Sequence, residues 1–140
     1  MFRKSVCLVA MGLILVPVVG FAQNAGKENA AATAAEKWLR LIDEGNYAKS
    51  YTEAAAYFRN AVTHEKWEQS MQAVRKPLGK MISRELKSKA YKSSLPGAPD
   101  GQYVVMHFGT SFANKKSAVE TVIFKMGTDG EWKAMGYFIR

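Results

Sequence analysis

The chain contains very little cysteine and histidine. Of its 140 residues only Cys7 is a cysteine, and the two histidines are His64 and His107. Cys7 lies in an N-terminal segment that we expect to be removed, so the mature protein would have no thiol for a disulfide, a nucleophile or a zinc site. The histidines are not spaced as a metal pair. We therefore predict no metal and no cofactor.

Recognisable catalytic and nucleotide-binding motifs are also missing. The sequence has no Gly-x-Ser-x-Gly elbow, no phosphate-binding loop and no dinucleotide fingerprint. It therefore favours a protein that is not an enzyme over one that is, and it names neither a substrate nor a ligand.

The one long apolar run lies at the N-terminus. Two basic residues precede the run at 5–19, a proline interrupts it, and Gly20 and Ala22 are small residues at the positions that a signal peptidase recognises. We predict a cleaved Sec-type signal over residues 1–22, a mature chain that starts at Gln23, and a periplasmic or secreted location. The alternative is a retained anchor, but the run is shorter than the roughly 20 apolar residues of a spanning helix. After cleavage we expect no membrane span.

Acidic residues are outnumbered by basic ones, 12 to 20, so the net charge is +8 and falls to +6 once the two basic residues of the signal are removed. Most of the surplus lies within residues 75–92. Arg84, Lys87 and Lys89 are our candidates for binding phosphates or an anionic envelope polymer. The alternative is that Lys87 and Lys89 protect an edge strand from aggregation. Nucleic acid is not an expected partner, because Tyr91 is the only aromatic residue in the segment.

Helical periodicity follows the signal. Residues 23–34 are rich in alanine and are expected to form a flexible or frayed lead-in, and residues 35–140 are expected to form one α+β domain. The first helix should end at Gly45, which is a typical residue at a helix C-terminus.

Two further helices are predicted from their caps. Asn46 can cap a second helix that continues to Phe58, and Thr63 can cap a third helix that ends before Pro77. Three helices are therefore expected before the sequence changes its period.

The second half of the chain alternates apolar and polar residues, as strands do. We predict a first strand after Gly79 and three more strands that are separated by turns at 113–116 and 127–130, over residues 103–112, 117–126 and 131–139. Helices followed by a meander of strands indicate an α+β fold.

Several motifs together resemble a bacterial exported family catalogued as domain of unknown function 4019. They are WL at 38–39, IDEGNY at 42–47, Trp67, RKPLG at 75–79, LPGAPDGQY at 95–103, Ser111-Phe112 and GYFI at 136–139. The resemblance implies a single-domain envelope protein with a signal peptide, and it implies no activity and no functional residues.

The order of the elements is also similar to the cone fold of nuclear transport factor 2 (NTF2-like). That similarity implies three N-terminal helices packed on a curved four-stranded antiparallel sheet, with a cavity between them. The cone fold hosts isomerases and dehydratases as well as non-catalytic binding modules, so the fold alone does not decide the function.

Strand parity predicts that four polar or aromatic residues share one face of the sheet: Tyr103, His107, Glu120 and Tyr137. These are our candidate ligand-binding residues. Glu120 as base, with His107 and Tyr137 as proton donors, would form a general acid/base site. The alternative is a structural hydrogen-bonded cluster.

We expect an exported, non-catalytic module that binds a small apolar ligand or an envelope protein. The alternative is a small metal-independent enzyme of the cone fold, an isomerase, dehydratase or hydrolase that uses Glu120, His107 and Tyr137. Both faces of the sheet are predicted to be apolar, and the helices can cover only one of them, so a homodimer through the sheet is a further expectation. Which face the helices cover is left open.

Overall fold

The structure, a computed structural model, describes residues 19–140, and the side chains from residue 24 onward. Its elements are α1 Val19–Asp43, α2 Tyr47–Thr52, α3 Ala56–Ala61, α4 His64–Arg75, a 3₁₀ helix Lys76–Leu78, β1 Met81–Lys92, β2 Tyr103–Phe112, β3 Lys115–Met126 and β4 Trp132–Ile139. The four strands form one antiparallel sheet in the order β1-β2-β3-β4. The predicted α+β class and the four-stranded antiparallel sheet are confirmed.

The N-terminal helix is longer than the sequence suggested. Residues 24–34, the expected lead-in, belong to α1, and Ala31 and Ala35 are 0% exposed. Glu28 also accepts a hydrogen bond from the backbone N–H of Tyr91 on β1, at 3.2 Å. Alanine side chains let a helix approach a sheet closely, so the alanine-rich segment is a packed helix rather than a lead-in. The predicted signal falls almost entirely outside the described residues.

The predicted second helix is divided into two short helices. Ala54 and Ala55 are buried at the break, and the N–H of Ala55 donates to the carbonyl oxygen of Ala134 on β4 at 2.8 Å. This bond with the sheet replaces a bond that a continuous helix would have made. The predicted caps are confirmed, because Asn46 accepts from the N–H of Lys49 and Thr63 accepts from the N–H of Lys66.

The helices pack on one face of the sheet, called here the inner face. Trp38 of α1 lies at the centre of the core, with ring centroids 5.9 Å from Trp67, 6.0 Å from Phe124 and 5.8 Å from Tyr137. Between Trp38, Trp67, Phe58 and β4 the remaining space has no volume that a water molecule could occupy. Aromatic rings therefore fill this part of the core, where the cone-fold resemblance implied a cavity.

The predicted register between β2 and β3 is wrong by one residue. Phe112 pairs with Lys115 at the turn, but Thr110 pairs with Ala118, so two residues of β3 lie opposite Ser111 alone. This bulge reverses the faces beyond it, because side chains alternate along a strand. Phe108 therefore lies opposite Glu120.

The other face of the sheet, called the outer face, carries no helix. Ile82 and Phe138 are 62% and 61% exposed there, and Val105 and Ile123 are half-buried on the same face. A loop at 93–102 reaches Tyr103 at one end, where the Tyr103 hydroxyl donates to the carbonyl oxygen of Pro99. Within residues 19–140 no helix is long and apolar enough to cross a membrane.

Candidate functional site

Six side chains form a polar cluster at the end of the core where α1 and α4 terminate. Each comes from a different element, and together they are called here the buried polar network. They are Asp43 of α1, Arg75 of α4, Arg84 of β1, Thr110 of β2, Glu120 of β3 and Tyr137 of β4. Glu120 is 0% exposed and Arg75 is 5% exposed, whereas the side chains of Arg84 and Asp43 are 10% and 15% exposed at the edge of a small cleft, so the network is largely buried.

Arg84 joins the two carboxylates of the network. Its Nε donates to Glu120 Oε1 at 2.7 Å and its Nη2 to Glu120 Oε2 at 3.2 Å. On its other side, Nη1 donates to Asp43 Oδ2 at 2.7 Å and Nη2 to Asp43 Oδ1 at 2.8 Å. A guanidinium with two bidentate carboxylate partners has a fixed position, because its planar fork matches both of them.

Arg75 completes the network from the helical side. Its Nη2 donates to Asp43 Oδ1 at 2.9 Å, its Nη1 donates to the Tyr137 hydroxyl at 3.4 Å, and its guanidinium lies 4.8 Å from the centre of the Phe112 ring. The hydroxyl of Tyr137 in turn donates to Glu120. The contacts thus form a closed ring of side chains that connects two helix ends to the sheet.

Burial and the neighbouring charges both affect the pKa values of the network, and for Asp43 they act in opposite directions. Burial alone would raise the pKa of Asp43, but the hydrogen bonds and positive charges of Arg84 and Arg75 hold that pKa below its ordinary value of 3.8. Burial, together with the negative charge of Glu120, raises the pKa of the Tyr137 hydroxyl. Two arginines balance two carboxylates, so the network carries no excess charge to attract an anion.

The predicted acid/base site is not assembled. Glu120 and Tyr137 meet on the inner face, as predicted, but His107 lies on the outer face, where its Nδ1 is 2.9 Å from Ser88 Oγ. The bulge between β2 and β3 is the reason, because it reverses the side on which His107 lies. Tyr103 is also on the outer face. The four candidate ligand-binding residues therefore belong to two separate places.

Glu120 is also poorly placed for catalysis. Arg84, Thr110 and Tyr137 all donate to its carboxylate, and its side chain has no exposed surface. A general base must come within hydrogen-bonding reach of a substrate proton. The geometry therefore fits the structural cluster that was the alternative for these residues.

The three candidate anion-binding residues do not form a patch. Arg84 is enclosed in the buried polar network, Lys87 pairs with Glu85 at 2.9 Å, and Lys89 donates to the side chain of Asn29 on α1. The strand that carries them, β1, is an edge of the sheet. Their placement fits the alternative role of protecting that edge.

A large cleft lies between α1 and the start of β4, and is called here the α1–β4 groove. Its volume is about 610 Å³. Trp38, Phe124 and Ala134 line it but are only 4%, 1% and 2% exposed, so its apolar surface comes mainly from Ala30, Ala34 and Trp132. By element, the lining also includes Ala30, Thr33, Ala34 and Lys37 of α1, Thr52 at the end of α2, Glu53 directly after it, and Gly130, Glu131, Trp132 and Lys133 of the β3–β4 hairpin.

Helix periodicity explains why the groove is open. Ala30, Thr33, Ala34 and Lys37 recur three or four residues apart, so they occupy one stripe of α1. The first three are small and leave space beside the helix, whereas Trp132 supplies a large aromatic side chain from the hairpin.

Sequence reasoning missed Asp43, Arg75 and the whole groove. A signal for Arg75 was present, because Trp67, Met71 and Arg75 are spaced four residues apart and all three are buried. The neighbouring apolar residue Val74, in contrast, is 42% exposed. The groove was missed because its helical wall lies partly in the segment that we expected to be a lead-in.

Comparison with protein-family models gives a match over residues 34–137 to the family described as Protein of unknown function (DUF4019). The chain belongs to this family. The match confirms the resemblance noted from the motifs, and it spans every residue of the buried polar network. None of the curated proteins compared with the chain matches it. The DUF4019 description assigns no activity, so the function has to be argued from the site.

Proposed function

We propose that this DUF4019 protein is an exported, non-catalytic binding module of the cell envelope, and that the α1–β4 groove is its ligand site. The observation that carries the proposal is the groove itself. Its volume of about 610 Å³ lies within the range of roughly 300–1,000 Å³ that is typical of small-molecule sites, and aromatic and small apolar side chains line much of it.

The pairing of the buried ionisable residues supports a binding module rather than an enzyme. The carboxylates of the buried polar network, Asp43 and Glu120, are already paired with Arg75 and Arg84. The groove has apolar surface and separate charges, which suit recognition of a ligand with an apolar body.

Export is supported by the pattern of the first 22 residues. Cleavage before Gln23 would remove the first four residues of α1 and leave the helix to begin at the new N-terminus. Intact mass spectrometry of protein from the native cell should give a chain that starts at Gln23. A chain of full-length mass would argue against a cleaved signal.

A fluorescent apolar probe tests the groove as a binding site. We expect 1-anilinonaphthalene-8-sulfonate to bind the protein with increased fluorescence, and Ala30→Trp to reduce this binding by filling the groove. Ala25→Trp is the matched control, because Ala25 is also exposed on α1 and does not line the groove. Equal probe binding by the two variants would overturn the assignment of the site.

We also propose that two copies associate through their outer faces. The observation that favours this is the exposure of Ile82 and Phe138 on a face that also carries half-buried Val105 and Ile123 and is covered by no helix of the described residues. Four strands of about ten residues present roughly 600 Å² per copy, estimated from ordinary strand spacings. Two such faces would bury roughly 1,200 Å², which is the lower end of the range for specific interfaces.

A further inference from the structure

The charged residues that line the α1–β4 groove indicate which class of ligand it binds. This inference rests on the proposed function, in which the groove is a ligand site. Lys37 and Lys133 contribute two positive charges, and Glu53 and Glu131 contribute two negative ones. The lining is therefore neutral overall, although the whole chain is strongly basic. If the groove bound a simple anion, its lining would be expected to carry a net positive charge.

Two of these four charges already have partners. Lys133 pairs with Asp129 at 3.1 Å, and Glu53 pairs with Lys49 at 3.9 Å. Lys37 and Glu131 make neither an ion pair nor a side-chain hydrogen bond with any residue in the described range 19–140. One cation and one anion are thus left to bind a ligand.

The two unpaired charges come from different walls of the groove. Lys37 lies on the helical wall formed by α1, and Glu131 lies on the hairpin wall just before β4. The accessible apolar surface of the groove comes from Ala30 and Ala34 on the helical wall and Trp132 on the hairpin wall, above the nearly buried Trp38. The arrangement complements a molecule that has an apolar middle, a positive group at one end and a negative group at the other.

We infer that the groove binds a short peptide with a free amino group and a free carboxylate. Lys37 recognises the carboxylate, Glu131 recognises the ammonium group, and the apolar surface contacts the side chains between them. Trp132 adds an indole N–H that has no hydrogen-bond partner among the described residues and can donate to a peptide carbonyl.

The test uses the tripeptide Ala-Leu-Ala and three blocked forms of it: N-acetylated, C-amidated and blocked at both ends. Isothermal titration calorimetry with the full mature chain measures the dissociation constant of each. We expect each single block to weaken binding about two- to fivefold, which is the effect of losing one solvent-exposed ion pair. The doubly blocked peptide should bind most weakly.

Two variants that each remove one charge test which residue binds each end of the peptide. In Lys37→Gln the free peptide and the C-amidated peptide should bind equally, while the preference for the free amino group should remain. In Glu131→Gln the preference for the free amino group should be lost and the preference for the carboxylate should remain. Lys66→Gln, at an exposed residue of α4 outside the groove, is the control and should change neither preference.

These experiments distinguish a groove that binds a ligand other than a peptide from a groove that is not a ligand site. If all four peptides bind equally, or octanoate binds more tightly than Ala-Leu-Ala while Ala30→Trp still blocks the fluorescent probe, the groove is a ligand site but the peptide inference is wrong. If neither peptide nor probe is sensitive to Ala30→Trp, both the inference and the proposed function are overturned.

Discussion

At the scale of single residues, the buried polar network is the feature with the largest expected energetic consequence. Removing one partner from a buried ion pair leaves the other charge without compensation, which costs more than the intact pair contributes. Arg84 is the residue that joins the two carboxylates of the network, because it donates to both Asp43 and Glu120. Removing the Arg84 side chain should therefore leave a carboxylate without its main partner on α1 and another on β3.

We predict that Arg84→Met lowers the free energy of unfolding by about 3 kcal/mol or more, since both carboxylates would lose their main partner. Lys87→Met, at an exposed position on the same strand, should change it by no more than about 0.5 kcal/mol. Urea denaturation followed by circular dichroism measures both values. Equal effects of the two substitutions would show that the network does not stabilise the fold.

Asp43 gives a prediction about pH. Because its pKa is lower in the folded protein than the ordinary value of 3.8, its ionisation stabilises the fold above that pH, and this contribution is lost as the pH falls through the lowered pKa. Asp43→Asn lacks the contribution at every pH. The difference in urea midpoint between the wild-type protein and Asp43→Asn should therefore be large at pH 7 and shrink below pH 3.8. A constant difference would contradict the assigned pKa direction.

Prediction from the sequence was partly successful at this scale. The pairing of Glu120 with Tyr137 follows from strand alternation, and the structure shows that contact. The placement of His107 failed, because one bulge residue on β3 reverses the faces of the strands beyond it. A bulge of this kind leaves no clear mark in the sequence, so register by parity is dependable only where pairing is regular.

At the scale of elements, the position of α1 matters most, because this helix forms one wall of the groove. The sequence predicted the capped helix starts at Asn46 and Thr63 well, since a cap is a local hydrogen bond with a known residue preference. It failed for residues 24–34 and for the break at Ala54 and Ala55. In both places the outcome depends on contacts with the sheet, which a local pattern does not contain.

We predict that Ala31→Leu destabilises the protein by about 1–3 kcal/mol, because a larger side chain at a fully buried helix position overpacks the core. Ala25→Leu, on the exposed side of the same segment, should be nearly neutral. Thermal unfolding of the two variants gives the comparison. If both are neutral, this part of α1 is not packed in solution.

At the scale of the whole molecule, the sheet separates two surfaces. The helices and the groove lie on the inner face, and the outer face is left open with Ile82 and Phe138 exposed. The sequence predicted that both faces would be apolar and that the helices would cover only one. It could not identify the face, because that choice depends on the register.

We predict a homodimer through the outer face. Multi-angle light scattering at high micromolar concentration should give twice the mass of the mature chain, and Phe138→Lys should give the monomer mass because it places two like charges in the interface. Val74→Lys, at an exposed apolar residue of α4, is the control and should remain dimeric. A monomeric wild-type protein would contradict dimerisation through the sheet.

Native mass spectrometry of the protein purified from its own cells tests directly whether the α1–β4 groove is a ligand site. If the α1–β4 groove is a ligand site, the wild-type chain should retain a small molecule that Ala30→Trp has lost and Ala25→Trp has kept. An empty wild-type protein, or a molecule retained equally by Ala30→Trp, would contradict the account.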